Sequence, residues 1–233
     1  MIAPTTDRFR GGVPADAPKL VRKAAARSTD TTHRYILEVA LRVRQGRMEE
    51  FQDLAGRILP EVNIPGLTLK AAGVCLDPDP RKVIHLWTLD SADLLRDAMI
   101  RLSDVPAYGL LDRLVVDEVQ EICTELLEEK PKPKADLYVR MIGVLRTPDL
   151  AEFVAQMEAA EGLFERATKW RRAGALINIT GRVNRISLLW AVPDDEIAHK
   201  YATKVPGYAL IVDPETELWN GTDYDPELRK QTT

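Results

Sequence analysis

The chain has little of what metal centres and disulfide frameworks are built from. Its two cysteines, Cys75 and Cys123, have no nearby Cys or His at metal-ligand spacing, which argues against a zinc motif and leaves them reading as reduced and buried. Its three histidines, His33, His85 and His199, fall on separate elements, so a multi-histidine centre would have to be assembled entirely by the fold. No apolar run approaches the roughly 18 residues of a membrane helix, and the N-terminus lacks the hydrophobic segment of a secretory signal. A cytoplasmic protein with no membrane partner is expected. Nothing resembles a nucleophile elbow, a phosphate loop or a dinucleotide fingerprint, since Gly11-Gly12 follows no strand. No cofactor is expected.

What is present is ordinary for a globular protein, with 45% hydrophobic and 29% charged residues. A length of 233 residues suits two units of about 100 residues each. The net charge of −4 argues against nucleic acid as a partner. Residues 1–34 differ: Arg8, Arg10, Lys19, Arg22, Lys23, Arg27 and Arg34 outnumber Asp7, Asp16 and Asp30, giving a basic arm of +4. Such an arm reads as a solvated leader, an interaction tail, an organellar address or a strap across another subunit.

The chain then repeats itself. Tyr35 to Phe51 and Leu137 to Phe153 share an alternating apolar strand, an arginine at its end and a helix opening, and Phe153 lies 102 positions after Phe51. The later strands VIHLWTLD and ISLLWAVPD match at an offset of 103, from Trp87 to Trp190. Duplication followed by loop drift leaves this signature. In the first copy, Tyr35 to Arg44 has one dry face (Leu37, Val39, Leu41, Val43). Arg47 to Leu59 carries Met48, Phe51, Leu54, Ala55 and Ile58 at helical spacing. Leu67 to Leu76 and Lys82 to Leu89 form a hairpin about Asp77-Pro78-Asp79-Pro80. A helix bearing Leu94, Leu95, Ala98, Met99 and Leu102 follows. Periodicity leaves 112–127 open between strand and helix, and analogy with the second copy favours a strand from about Val115 to Leu126.

The proline-broken EEKPKPK segment marks a linker over residues 129–136. The second copy runs from a strand at Leu137 to Arg146 through a helix at Leu150 to Trp170 and a hairpin of Ala173 to Gly181 with Asn184 to Val192. A shorter helix from Pro193 to Thr203 and a closing strand at Tyr208 to Val212 complete it. Residues 213–233 read as a polar tail with two aromatics, Trp219 and Tyr224. Each copy, 35–128 and 137–212, is therefore β-α-β-β-α-β, and the fold class is α+β with two tandem ferredoxin-like repeats.

A four-stranded antiparallel sheet with helices on one side leaves its other face bare, and a second copy is the economical cover. The interior can then close within one chain, while side-by-side association into a homo-oligomer stays open. If the dry faces meet the helices, Glu38, Arg42, Arg140 and Arg146 point into the space between the sheets or to its rim. Glu38 and Arg140 are equivalent positions, 102 apart, and are expected to form a structural ion pair near the pseudo-twofold axis.

His85-Leu86-Trp87-Thr88-Leu89-Asp90-Ser91, ending the third strand and leading into a helix, resembles the corresponding stretch of the bacterial NIPSNAP family. That family belongs to the dimeric α/β-barrel superfamily, with antibiotic-biosynthesis monooxygenases, polyketide cyclases, isomerases and the tandem-domain chlorite dismutases. The resemblance covers Tyr35 to Leu127 in sequence and the second copy in shape. It implies a small-molecule enzyme of biosynthetic metabolism that oxygenates, cyclises or isomerises a hydrophobic substrate without a cofactor. In the second copy Leu188 replaces the histidine, so a single pocket is expected in the first. There His85 is the candidate general acid or base and Tyr108 a closing group, while Trp87 and Asn178 are substrate contacts. The bland alternative is a core histidine bonded within the protein, and Trp87 and Trp190 then fill the core. His199 reads as a surface residue rather than a haem ligand. The other functional class is a non-catalytic binding or assembly protein that uses the arm and tail for contacts.

Overall fold

A computed structural model describes residues 35–127, 133–193 and 201–226, apart from positions 92, 107 and 223. The basic arm and His199 lie outside the described residues, as does most of the expected helix from Pro193. The first copy comprises β1 (Tyr35–Val43), α1 (Met48–Ile58), β2 (Leu67–Asp77), β3 (Lys82–Leu89), α2 (Leu94–Ser103), α3 (Tyr108–Asp112) and β4 (Val115–Glu125). The second comprises β5 (Leu137–Leu145), α4 (Leu150–Thr168), β6 (Arg171–Asn178), β7 (Arg185–Val192) and β8 (Ile211–Gly221). The segment of ambiguous periodicity is thus a strand.

Strand boundaries depart from expectation by two or three residues at β6, which spans Arg171–Asn178 rather than Ala173 to Gly181, and by most at the closing strand. The closing strand does not end at Val212 but runs on to Gly221, so the first part of the expected tail is sheet. Polar residues at Asp213, Glu215 and Asn220 hide this strand from a periodicity argument. Its ladder to β5 nevertheless runs from Leu145↔Ile211 to Tyr138↔Trp219, with a shift between Ile142 and Val144. Gly143 sits at that shift because a Cβ there would meet Ile211 Cγ2 at 2.2 Å and the Val212 carbonyl at 3.1 Å.

The eight strands form a closed barrel in the order β1-β3-β2-β8-β5-β7-β6-β4. Each copy contributes four neighbouring strands, and the copies join where the edge strand of one meets the last strand of the other. Cys75↔Trp219 belongs to the β2–β8 seam and Cys123↔Asn178 to the β4–β6 seam. The barrel has no need of a second molecule to close its interior.

Alternation along each strand then divides the side chains. Leu37, Val39, Leu41 and Val43 pack beneath α1 against Phe51, Ala55 and Ile58, which recur on one face of the helix. Val139, Met141 and Leu145 pack beneath α4 against Phe153, Met157 and Phe164, with Trp170 and Trp190 filling the same core. The opposite faces of β1 and β5, bearing Ile36, Glu38, Tyr138 and Arg140, turn into the barrel. Arg42 and Arg146 are exposed, with Arg42 paired to Asp79 at 2.9 Å on the rim. Among the described residues no helix is long and apolar enough to cross a membrane.

Candidate functional site in the barrel interior

The interior of the barrel is both polar and hollow. Six charged side chains, three of each sign, come together there. Arg140 lies between Glu38 and Glu217, with Nη2 donating to Glu38 Oε1 at 2.6 Å and Nη1 to Glu217 Oε2 at 3.4 Å. Its Nε donates to Ser187 Oγ at 2.8 Å. Lys82 pairs with Glu217, and Arg185 pairs with Glu121 at 2.5 Å while standing 3.5 Å from Glu38. Trp219 Nε1 donates to Glu217 Oε2 at 3.0 Å, and its ring centroid is 5.9 Å from both the Lys82 ammonium and the Arg140 guanidinium.

This arrangement follows the repeat. Glu38 and Arg140 are equivalent positions in β1 and β5, and Lys82 and Arg185 begin the equivalent strands β3 and β7. Lys82 of the first copy reaches Glu217 on the last strand of the second, and Arg185 of the second reaches Glu121 on the last strand of the first. The cations of each copy thus tie down the closing strand of the other.

Burial and charge set the protonation states. Burial alone would raise the Glu38 pKa, but Arg140 and then Arg185 outweigh it and hold the carboxyl below its ordinary value. For Arg140, burial disfavours the charge, yet Glu38 and Glu217 overcome it and raise the pKa. The pair is therefore ionised. Buried carboxylate oxygens are normally satisfied, but Glu38 Oε2 has no hydrogen-bond partner among the described residues.

Beside this cluster lies a cavity walled by both sheets. Its space open to the centre of a water molecule is about 60 Å³, where roughly 10–15 Å³ holds one water. Ile36, Ile84, Leu86, Leu176, Leu189 and Trp219 make the apolar walls, and Glu38, Arg140 and Ser187 are among its polar side chains. Small residues at the seams create the space: Ala71, Ala72 and Gly73 of β2, and Ala173 and Gly174 of β6. At Gly73 a Cβ would come within 3.2 Å of the Trp219 ring and 3.3 Å of the Asn220 carbonyl.

Beneath the first-copy helices, where a pocket was expected, Phe51, Trp87 and Tyr224 surround His85. His85 is buried there, stacked on Phe51 with ring centroids 6.3 Å apart and edge-on to Trp87 at 6.5 Å. Its Nε2 shares a 3.0 Å hydrogen bond with the Tyr224 hydroxyl. Tyr224 also lies over α1, where a Cβ on Gly56 would be 3.6 Å from its Cδ1. Burial lowers the His85 pKa to about 4, so the imidazole is neutral at physiological pH. This corrects its placement in an open pocket, because a residue from the expected tail occupies the space.

Tyr108, at the start of α3, is half-buried against the same core, and burial, with help from Glu118 and Asp112, pushes its pKa up to about 12. Trp87 is a core residue on the helix side. Asn178 faces the interior at the β4–β6 seam, where its Oδ1 accepts the Cys123 thiol at 3.1 Å, but it does not line the cavity. The site therefore brings Glu38 and Arg140 together and leaves His85, Tyr108, Trp87 and Asn178 outside the cavity lining. Glu217, Trp219 and Ser187 were missed, the first two because their segment read as a tail. Among the described residues no group of three or more His, Cys, Asp or Glu side chains could hold a metal ion.

Two tandem ferredoxin-like units closing one eight-stranded barrel define the dimeric α/β-barrel fold, realised here within a single chain. Comparison with solved structures agrees. A candidate monooxygenase from Lactobacillus acidophilus NCFM aligns with 84% of this chain and 99% of its own at 14% identity and a TM-score of 0.58. An anthrone oxidase-like protein aligns with 88% of this chain and 97% of its own at 8% identity and a TM-score of 0.59. A NIPSNAP family protein from Agrobacterium tumefaciens str. C58 aligns with 42% of this chain and 94% of its own at 21% identity and a TM-score of 0.31, too slight to assign the chain to that family. No family model and no curated protein matches the sequence.

Proposed function

We propose that the chain is a small-molecule enzyme of the oxygenase type that takes an apolar substrate into the barrel interior. The observation that carries this reading is the apolar cavity lined also by the ionised Glu38–Arg140 pair. Similarity of fold to monooxygenase-like and anthrone oxidase-like proteins supports it. Oxidation of a CH₂ group to a carbonyl balances without an external reductant: O₂ gives one oxygen to the substrate, and the other leaves as water with both hydrogens. In such a reaction Arg140 would donate a hydrogen bond to the oxygen that becomes the carbonyl. Glu38 is held below the ordinary carboxylate range, so it would orient the substrate through a hydrogen bond rather than remove a proton.

The test is oxygen uptake with a panel of apolar CH-acidic compounds, with products identified by mass spectrometry. Uptake abolished by Arg140→Met in a folded variant supports the reading, and no uptake with any compound counts against it. A second reading, a binding protein without chemistry, is favoured by the weak basicity of Glu38 and by His85 being engaged with Tyr224. It predicts a co-purifying molecule that returns unchanged.

A further inference from the structure

We infer that the barrel cavity selects a compact neutral molecule that carries an O–H or N–H donor on an apolar body, with Glu38 Oε2 as the acceptor. The inference rests on reading the barrel interior as the substrate site and adds the chemical class it takes. Three observations converge on it. Glu38 is 2% exposed and lines the cavity, and one of its carboxylate oxygens has no hydrogen-bond partner among the described residues while the other is engaged by Arg140. An unmade hydrogen bond to a buried carboxylate is costly, and a ligand donor would satisfy it.

Charge makes the second argument. Glu38, Glu121 and Glu217 are matched by Arg140, Arg185 and Lys82 through contacts of 3.5 Å or less. The cluster offers no unmatched charge with which to offset the desolvation of an ionic ligand. Lys70 and Glu125, which also line the cavity, stand 3.7 Å from each other and add one charge of each sign. The third argument is shape: the walls at Ile84, Leu86, Leu176 and Leu189 are aliphatic, and Trp219 supplies a flat aromatic face.

Phenol, anisole and benzoate separate these features, because they share a ring and differ in donor and charge. Binding to the full chain is followed by NMR through the indole N–H of Trp219, which lines the cavity. Phenol should bind about ten-fold or more tightly than anisole, the difference a hydrogen bond to a charged acceptor provides. Benzoate should bind no better than anisole. In Glu38→Gln the phenol preference should fall to about five-fold or less, as a neutral acceptor provides, and Ala71→Leu, which fills the cavity, should weaken phenol and anisole alike.

Equal binding of phenol and anisole by the wild-type chain overturns the donor inference while leaving an apolar site in place. Tightest binding of benzoate overturns neutrality. Unchanged affinities in Ala71→Leu overturn the location. The wild-type comparison stands even if Glu38→Gln fails to fold. Oxygen uptake is a separate readout: a phenol preference without turnover keeps the inference and removes the oxygenase reading, whereas turnover with equal phenol and anisole binding does the reverse.

Discussion

Arg140→Met tests whether the charges in the barrel behave as one buried unit. The substitution keeps an unbranched side chain but, among the described residues, leaves Glu38 with Arg185 at 3.5 Å and Glu217 with Lys82 as paired cations, and it strips Ser187 of its donor. Breaking a buried pair from one side costs about 3–5 kcal/mol, and the surviving cations place this case near the lower limit, about 3 kcal/mol. For a chain of this size the melting temperature should fall by about 6–12 °C. Glu38→Gln should cost less, about 1–2 kcal/mol, because Arg140 keeps Glu217 at 3.4 Å and Ser187 at 2.8 Å. The double variant should be less damaging than the two losses added together, by about 1 kcal/mol or more. Urea denaturation at pH 7, followed by circular dichroism, measures all three. Because Arg140 and Glu38 are 4% and 2% exposed, the Arg140→Met loss should be almost unchanged in high salt. A cost below about 1 kcal/mol for Arg140→Met, or losses that simply add, would refute the reasoning, since neither is compatible with a desolvated, shared guanidinium.

His85 predicts a pH dependence of its own. Its pKa is near 6.5 in the unfolded chain and about 4 in the fold, so between those values the unfolded state binds a proton that the folded state refuses. Stability should therefore fall as pH drops from 6.5 towards 4, by about 3 kcal/mol in all, and His85→Gln should flatten that slope in urea titrations at pH 7 and pH 5. Glu38 acts lower: its pKa is depressed from 4.5, so its contribution is full above that value and is lost as pH falls through the folded pKa. Gly143→Ala should cost about 1–3 kcal/mol, measured by thermal melting, because Ile211 could shift from the new methyl group but the Val212 backbone carbonyl at 3.1 Å could not move cheaply.

The copies were legible in the sequence because strand alternation and the 102- and 103-residue offsets both follow from physical requirements on every pleated, half-buried strand. The same logic made Glu38 and Arg140 face each other. It placed His85 correctly on the helix side of β3 but could not show that Tyr224 would fill the space beside it. Tyr224 lies 139 positions from His85, and no periodicity connects a core position to a residue beyond the last strand. β8 was half missed for a related reason. Residues 215–217 pair with β5, whereas the β2 seam engages β8 only from Leu218, so the first stretch keeps a wet edge and a polar composition.

Lys82 and Arg185 were the overlooked signal. They stand at the offset of 103 that relates the two hairpins, and a cation kept at both positions of a diverged repeat is a statement about its surroundings. Each needs a carboxylate, and the pseudo-twofold axis supplies it from the other copy's last strand, as Glu217 and Glu121. Glu38 and Arg140 break the symmetry at the equivalent position, because two like charges facing each other across the axis would repel in a low dielectric. Divergence at that position, one copy acidic and the other basic, is what permits a charged centre inside the barrel. Among the described residues the same divergence leaves Glu38 Oε2 without a hydrogen-bond partner.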